Sequence, residues 1–121
     1  MERSKTILIV DDDIDLCILL ANRLKNYHMV KIVHTLHDAR HMMTTFPPDI
    51  LFLDNNLPDG VGFDLLVEIR SRGSLPVVMM TADHSITLKT EAEKLGVRSF
   101  LWKPFKVNDI VKLIDEPKYK E

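Results

Sequence analysis

The chain has little of what builds secreted or membrane proteins. Cys17 is its one cysteine, so no intramolecular disulfide can form, and a reducing compartment suits it. No apolar run approaches the roughly 20 residues that a helix needs to cross a bilayer. The opening stretch, Met1 to Thr6, is charged and runs straight into a strand-like segment, so no cleaved leader is expected. Four glycines and six prolines are too few for a low-complexity or loop-dominated chain. Neither charge dominates: 16 basic against 18 acidic residues leave a net charge of -2, which gives no broad basic surface for nucleic acid. A G-x-x-x-x-G-K-[ST] phosphate loop and a G-x-S-x-G nucleophile elbow are both missing, which argues against a P-loop nucleotide binder and an α/β-hydrolase. What remains is a cytoplasmic protein of 121 residues and 45% hydrophobic content, enough for one domain with its own core.

What is present is alternation. Short β-rich apolar runs occupy Thr6–Val10, Val30–His34, Ile50–Asp54, Pro76–Met80 and Ser99–Trp102. Helical patterns fill the gaps. Ile14–Tyr27 carries Leu16, Leu19, Leu20 and Leu24 at helical spacing. Leu36–Thr45 follows a cap at Thr35 or at His37-Asp38. Val61–Arg72 and Ser85–Leu95 meet Gly73 and Gly96 as C-caps. Val107–Ile114 is the last helix, with Asn108 or Asp109 at its start, and Pro117 should end it. Five strands alternating with five helices predict an α/β fold with a doubly wound parallel sheet of flavodoxin-like order 2-1-3-4-5. Runs such as ILIV and ILFL suit strands covered on both faces. The expected core spans 6–115, and the charged tail 116–121 is expected to fray.

In such a sheet, functional groups gather at the carboxyl ends of the strands. Those ends read Asp11-Asp12, His34, Asp54, Thr81 and Lys103. In this order strands one and three are neighbours, about 5 Å apart, so three carboxylates crowd together. They repel unless a cation intervenes. Mg²⁺ is a hard cation that takes oxygen ligands at about 2.0–2.1 Å and often bridges to phosphate. Asp12 and Asp54 fit as direct ligands and Asp11 as a holder of metal waters. An acidic strand end also caps a following helix, and Asp13 fits that role for the helix at Ile14. Thr81 and Lys103, opposite the metal, supply a hydroxyl and an ammonium to stabilise charge on a phosphoryl group. The Lys103-Pro104 bond is either cis, aiming the lysine inward, or a trans lead into the last helix. Pro58-Asp59-Gly60 marks a turn after Asp54, and that loop can offer the Asn56 carbonyl to the metal.

This set resembles the receiver domain of bacterial two-component response regulators. It is carried by Asp11-Asp12, Asp54, Leu57-Pro58-Asp59-Gly60, Thr81-Ala82 and Lys103-Pro104-Phe105, and it covers Ile7 to Ile114. The resemblance implies a phosphoacceptor switch rather than a turnover enzyme. Asp54 takes a phosphoryl group from a histidine kinase, a phosphotransfer protein or a small phosphodonor. Asp12, Asp54 and the Asn56 carbonyl hold Mg²⁺, or Mn²⁺ as a substitute, with Asp11 acting through water. Lys103 contacts the phosphoryl oxygen, Thr81 moves toward it, and Phe100 turns into the vacated space. The shifted α4-β5-α5 face then controls a partner or an output domain. Asn56 and Asp83 stand where the family flanks the path of the attacking water. Small polar groups there imply a short-lived phosphoryl group.

Several residues depart from the family pattern. Asn55 follows Asp54 where an apolar or aromatic side chain is usual. Phe100 replaces the commoner Tyr. Arg98-Ser99 occupy positions where many receivers carry acids that pair subunits, so a monomer or weak dimer is expected. Other features read as structural. His37 and His41, with His34 near, have zinc spacing but no completing ligand. Met42-Met43 and Met79-Met80 fit core filling, and Cys17 fits burial. Two other classes stay open: an aspartyl-phosphate phosphohydrolase with its nucleophile in Asp11-Asp12-Asp13, and a receiver-like module that binds without phosphorylation.

Overall fold

The computed structural model describes residues 4–115. The expected fraying of 116–121 and the helix stop at Pro117 lie outside the described residues. Five parallel strands form one sheet: β1 (Thr6–Val10), β2 (Met29–Val33), β3 (Ile50–Asp54), β4 (Val77–Thr81) and β5 (Ser99–Trp102), in the order β2-β1-β3-β4-β5. The predicted topology is the observed one. Five helices connect them: α1 (Ile14–Leu24), α2 (Leu36–Thr45), α3 (Gly62–Arg70), α4 (Ile86–Lys94) and α5 (Val107–Asp115).

The strands' period of two divides the core into two layers. Leu8, Val10, Leu51, Leu53, Val77 and Met79 pack with α2, α3 and Ala92 of α4. Ile7, Ile9, Phe52, Val78 and Met80 face the other way, with Cys17, Leu20 and Leu24 of α1 and Ile110 and Ile114 of α5. Burying one such side chain contributes about 1.5–3 kcal/mol, so the central strands, buried on both faces, anchor the fold. Met79 and Met80 are fully buried, and Met42 and Met43 pack against the first layer as core filler.

Boundaries moved where local chemistry decides them. The fourth strand starts at Val77, not Pro76, because a proline has no N–H for the ladder; its carbonyl still accepts from Leu51 N. The second strand spans Met29–Val33, and His34 leaves the ladder. Helix α1 stops at Leu24 rather than Tyr27, since the Leu24 carbonyl is taken by the N–H groups of Tyr27 and His28. Helix α3 starts one residue late because Val61 pairs with Asn56 in a small antiparallel ladder, Asn56–Leu57 against Gly60–Val61. Gly73 was expected to cap α3, but Ser71 holds that place and Gly73 keeps a negative φ. Gly96 does cap α4, at φ 73°.

The caps tie loops to helices. Asp13 Oδ1 accepts from Leu16 N (3.1 Å), and Ser85 Oγ from Leu88 N (3.1 Å). Helix α2 is capped twice: Thr35 Oγ1 takes Asp38 N, while Asp59 takes Leu36 N (2.8 Å) and His37 N (3.0 Å) from across the molecule. Those two N–H groups hold the exposed Asp59 carboxyl below its usual pKa.

Candidate functional site

Strand register brings the site together. Val10 pairs with Leu53, so Asp11, one residue on, lies level with Asp54. Asp54 pairs with Met80, and Thr81 with Trp102. Asp11, Asp54, Thr81 and Lys103 therefore emerge at one edge of four adjacent strands. All four are the residues read from the strand ends.

Three carboxylates meet there. Asp11, Asp12 and Asp54 each present an oxygen within 4.8 Å of the others. Asp11 is fully buried and Asp54 nearly so, whereas Asp12 is exposed. Lys103 Nζ lies 2.8 Å from Asp11 Oδ2 and 3.4 Å from Asp54 Oδ2. Asp11 Oδ2 is nevertheless a buried oxygen that no aligned hydrogen-bond donor reaches, so the lysine approaches it as an ion pair outside hydrogen-bond geometry. Burial pushes the Asp54 carboxyl up to about 6, and the charge of Asp11 adds to the rise; Lys103 and the Asn56 N–H pull it back. Burial lowers the Lys103 pKa, but Asp11 and Asp54 outweigh it and the net shift is upward.

The opposite wall carries Thr81. Its buried hydroxyl accepts from Asp83 N (2.9 Å) and from Asn56 Nδ2 (3.3 Å). Asn56 also gives its backbone N–H to Asp54 Oδ1 (3.3 Å). Asn56 and Asp83, paired in the sequence reading as flanking positions, thus meet on one hydroxyl. The Lys103-Pro104 bond is cis, the first of the two alternatives above. Phe100 is half-buried against the first core layer and stands edge-on to Trp102, with ring centroids 6.2 Å apart.

Other expectations resolve here. Cys17 is buried, and burial lifts its thiol to about 11, which keeps it protonated and inert. His34 is engaged elsewhere: its Nδ1 lies 2.8 Å from the Asp11 carbonyl. Among the described residues, the acidic trio is the cluster that can hold a metal.

Two features escaped the sequence reading. Asn55 is buried, its carbonyl accepts from Gly62 N (2.7 Å), and its Oδ1 accepts from Phe63 N (2.9 Å). It caps α3, whose own N-cap, Val61, has no side chain for the purpose. A polar residue in an apolar position was the signal. Gly62 is the second: a Cβ there would sit 2.4 Å from the Asp54 carbonyl oxygen, so only glycine lets α3 begin against the phosphoacceptor candidate's backbone.

The donor set is one of oxygens, the kind a hard divalent cation takes. Three carboxylates converge with oxygens within 4.8 Å of one another, so the residues fit such an ion.

A family model for the response regulator receiver domain matches residues 7–115. The chain belongs to that family. It is 35% identical over 107 residues to the transcriptional regulatory protein CitB of Klebsiella pneumoniae, covering 84% of this chain and 45% of that protein. It is 34% identical over 116 residues to the response regulator protein PilR of Pseudomonas aeruginosa, covering 94% of this chain and 26% of that one. The receiver therefore spans less than half the length of these curated relatives. Among solved structures, the non-phosphorylated HemR receiver domain of Leptospira biflexa superposes with a TM-score of 0.84 at 29% identity, covering 93% of this chain and 96% of that one. The signal receiver domain of a LuxO repressor from Vibrio parahaemolyticus gives a TM-score of 0.84 at 27% identity, covering 92% and 87%. Receivers of this family are parts of two-component systems. No helix among the described residues is long and apolar enough to cross a membrane.

Proposed function

We propose that this receiver is a cytoplasmic phosphoacceptor switch in which Asp54 takes a phosphoryl group from a histidine kinase or phosphotransfer protein. The observation that carries this reading is the buried Asp54 carboxylate, with Lys103 Nζ 3.4 Å from its Oδ2 and oxygens of Asp11 and Asp12 within 4.8 Å. With its pKa near 6, Asp54 is ionised at neutral pH and can act as a nucleophile. One Asp54 oxygen attacks phosphorus, and the bond to the donor's imidazole nitrogen breaks with its electron pair going to that nitrogen. The ring leaves as neutral imidazole, through a proton already on its other nitrogen or one taken up by the freed nitrogen. The product is an acyl phosphate on Asp54. Hydrolysis breaks the new O–P bond, returning the carboxylate and inorganic phosphate.

Asp11, Asp12, Asp54 and the Asn56 carbonyl would hold Mg²⁺, for which Mn²⁺ can substitute. When bound, the ion neutralises charge on the transferring group and on the acids around it. Lys103 swings between carboxylate and phosphoryl oxygen, adding a second positive charge. Thr81 leaves its Asn56 and Asp83 partners to donate to the phosphoryl group, and Phe100 follows into the freed space. That motion alters the surface formed by α4, β5 and α5, which a partner or a fused output domain reads. The domain catalyses only its own phosphorylation and dephosphorylation, acts as one unit over 6–115, and needs neither nucleic acid nor membrane. It is a monomer or weak dimer. Ile14 and Ile18, exposed one turn apart on α1 directly after the acids, offer apolar ground for a docking phosphodonor.

The test is intact-mass analysis after incubation with acetyl phosphate or phosphoramidate. One phosphoryl group is expected with Mg²⁺, none with a chelator, and none in Asp54→Asn. Label that survives Asp54→Asn but is lost with Asp11→Asn would favour the phosphohydrolase alternative. A wild-type protein that takes no label under any of these conditions would favour the binding-only module.

A further inference from the structure

His34 was met above as a strand-end residue without a role in the phosphoryl chemistry. Its ring makes one specific contact. Nδ1 lies 2.8 Å from the main-chain oxygen of Asp11. A carbonyl oxygen offers only lone pairs, so Nδ1 carries a proton and donates. Cys17 Sγ donates to the same oxygen more weakly, at 3.4 Å. On its other side, the Asp11 N–H donates to Val33 O (3.1 Å), one residue before His34.

That carbonyl belongs to the peptide joining Asp11 to Asp12. A peptide unit is planar, so fixing the direction of its oxygen fixes ψ of Asp11 and φ of Asp12 together. The Asp12 side chain branches from the Cα beyond that peptide, so the two angles set the direction in which Asp12 leaves the chain. The Asp11 side chain branches before ψ and is held separately, its Oδ1 accepting from Asp13 N (2.9 Å). Asp11, Asp12 and Asp54 hold oxygens within 4.8 Å of one another and repel; Lys103 reaches Asp11 and Asp54, so a backbone restraint matters most for the exposed Asp12. His34 is itself held on both sides, by Val33 in the ladder and by Thr35, the N-cap of α2. Its ring is therefore a brace built on fixed elements.

We propose that His34 is a positioning residue that holds the Asp11–Asp12 peptide and thereby aims Asp12 at a divalent cation shared with Asp11 and Asp54. The inference rests on the metal-dependent phosphoacceptor reading above. It concerns how Asp12 is oriented, and His34 touches neither the cation nor the phosphoryl group.

The experiment compares wild type, His34→Ala and His34→Asn at one fixed pH. Asparagine keeps an N–H near the place of Nδ1 but removes the ring. Mg²⁺ affinity is read by calorimetry, and the amide resonance of Asp12 is read by NMR in metal-free protein. His34→Ala is expected to weaken Mg²⁺ binding about 3- to 30-fold, and His34→Asn to recover it to within about 3-fold. The Asp12 amide is expected to shift in His34→Ala and to return toward its wild-type position in His34→Asn. Unchanged affinity in His34→Ala overturns the proposal. So does equal weakening in both variants with a parallel fall in thermal midpoint, because the ring would then act only by packing. If wild type itself binds no Mg²⁺ and takes no phosphoryl group, the functional reading fails first and the proposal with it.

Discussion

Lys103 Nζ stands 2.8 Å from Asp11 Oδ2, joining the end of the fifth strand to the end of the first across two intervening strands. The same ammonium reaches Asp54 Oδ2 at 3.4 Å. In the absence of metal, this one cation offsets two buried carboxylates. Lysine and metal therefore compete for the same oxygens.

Replacing the lysine with an apolar chain of similar length tests that competition. Lys103→Met is expected to bind Mg²⁺ at least about 3-fold more tightly, because a competing charge is gone. It is expected to take a phosphoryl group about 100-fold more slowly, because a transition-state partner is gone too. Without Mg²⁺ it should lose about 1–3 kcal/mol of stability, since two buried acids lose their counter-ion. The Lys103 pKa is raised, so its contribution is fully present below the ordinary value of 10.5 and fades as pH rises through the shifted one. Calorimetry, labelling rates and urea melts with and without Mg²⁺ check these three statements. Equal Mg²⁺ affinity in the variant and wild type would remove the competition.

Asp54 trades stability for reactivity, and the sign of that trade can be worked out. Its pKa rises from 3.8 in the unfolded chain to about 6 in the fold. The folded state therefore favours the protonated form, and stability falls as pH climbs from below 3.8 through 6. Above that window the buried charge is a cost, and Asp54→Asn removes it. In metal-free buffer at pH near 7.5, Asp54→Asn is expected to be more stable by about 1–3 kcal/mol, after discounting for solvent screening. The gain should shrink as pH falls through 6 toward 4. Urea unfolding at the two ends of the range, with chelator present, measures it. A gain that grows on acidification would contradict the assigned shift.

The backbone behind Asp54 depends on two small residues. A Cβ on Gly62 would stand 2.4 Å from the Asp54 carbonyl oxygen and 3.1 Å from Asn55 Cα, and those backbone atoms cannot yield cheaply. Gly62→Ala is expected to cost at least about 2 kcal/mol and to displace the phosphoacceptor candidate itself. Asn55→Ala removes the cap on Phe63 N and should cost about 1 kcal/mol. Asn55→Asp keeps an acceptor there and should cost less than Asn55→Ala. Chemical denaturation ranks the three. If Asn55→Ala melts like wild type, the cap is not what places that residue.

The fold class was legible from alternation, and the strand order from right-handed crossovers together with the usual order for a sheet of this size, which in turn placed four of the strand-end residues. Short apolar runs such as Ile50–Asp54, bounded by turn residues, read as strands, and the parallel sheet puts Asp11, Asp54, Thr81 and Lys103 on one edge. The misplaced boundaries lie where a hydrogen bond that no pattern encodes decides the outcome. Pro76 lost its place in β4 for want of an N–H, and Val61 left α3 for a ladder with Asn56. Asn55 had no reading from sequence because its partners, Gly62 N and Phe63 N, belong to the helix that follows. His34 was grouped with His37 and His41 by spacing, whereas its contact with Asp11 comes from the register of β1 and β2. Periodicity shows which face a residue takes; it does not show which distant backbone group a polar side chain will meet.

We propose that Asn56 and Asp83 set the lifetime of the phosphoryl group. Asn56 lends Nδ2 to the Thr81 hydroxyl and its backbone N–H to Asp54, while Asp83 lends its backbone N–H to that same hydroxyl. Both residues thus border the space between Thr81 and Asp54, and both are exposed. Both side chains are short, which on this proposal leaves water a path to phosphorus on Asp54. A long basic side chain at either position would block the approach and pair with phosphoryl oxygens. Asn56→Arg and Asp83→Lys are each expected to lengthen the half-life about 3- to 30-fold, the equivalent of roughly 0.7–2 kcal/mol of barrier. The double variant should exceed either single one, because the two residues border the opening from different loops. Loss of label from purified protein after the phosphodonor is removed gives the rates directly. A wild-type half-life longer than that of both variants would show that the water does not enter past these residues.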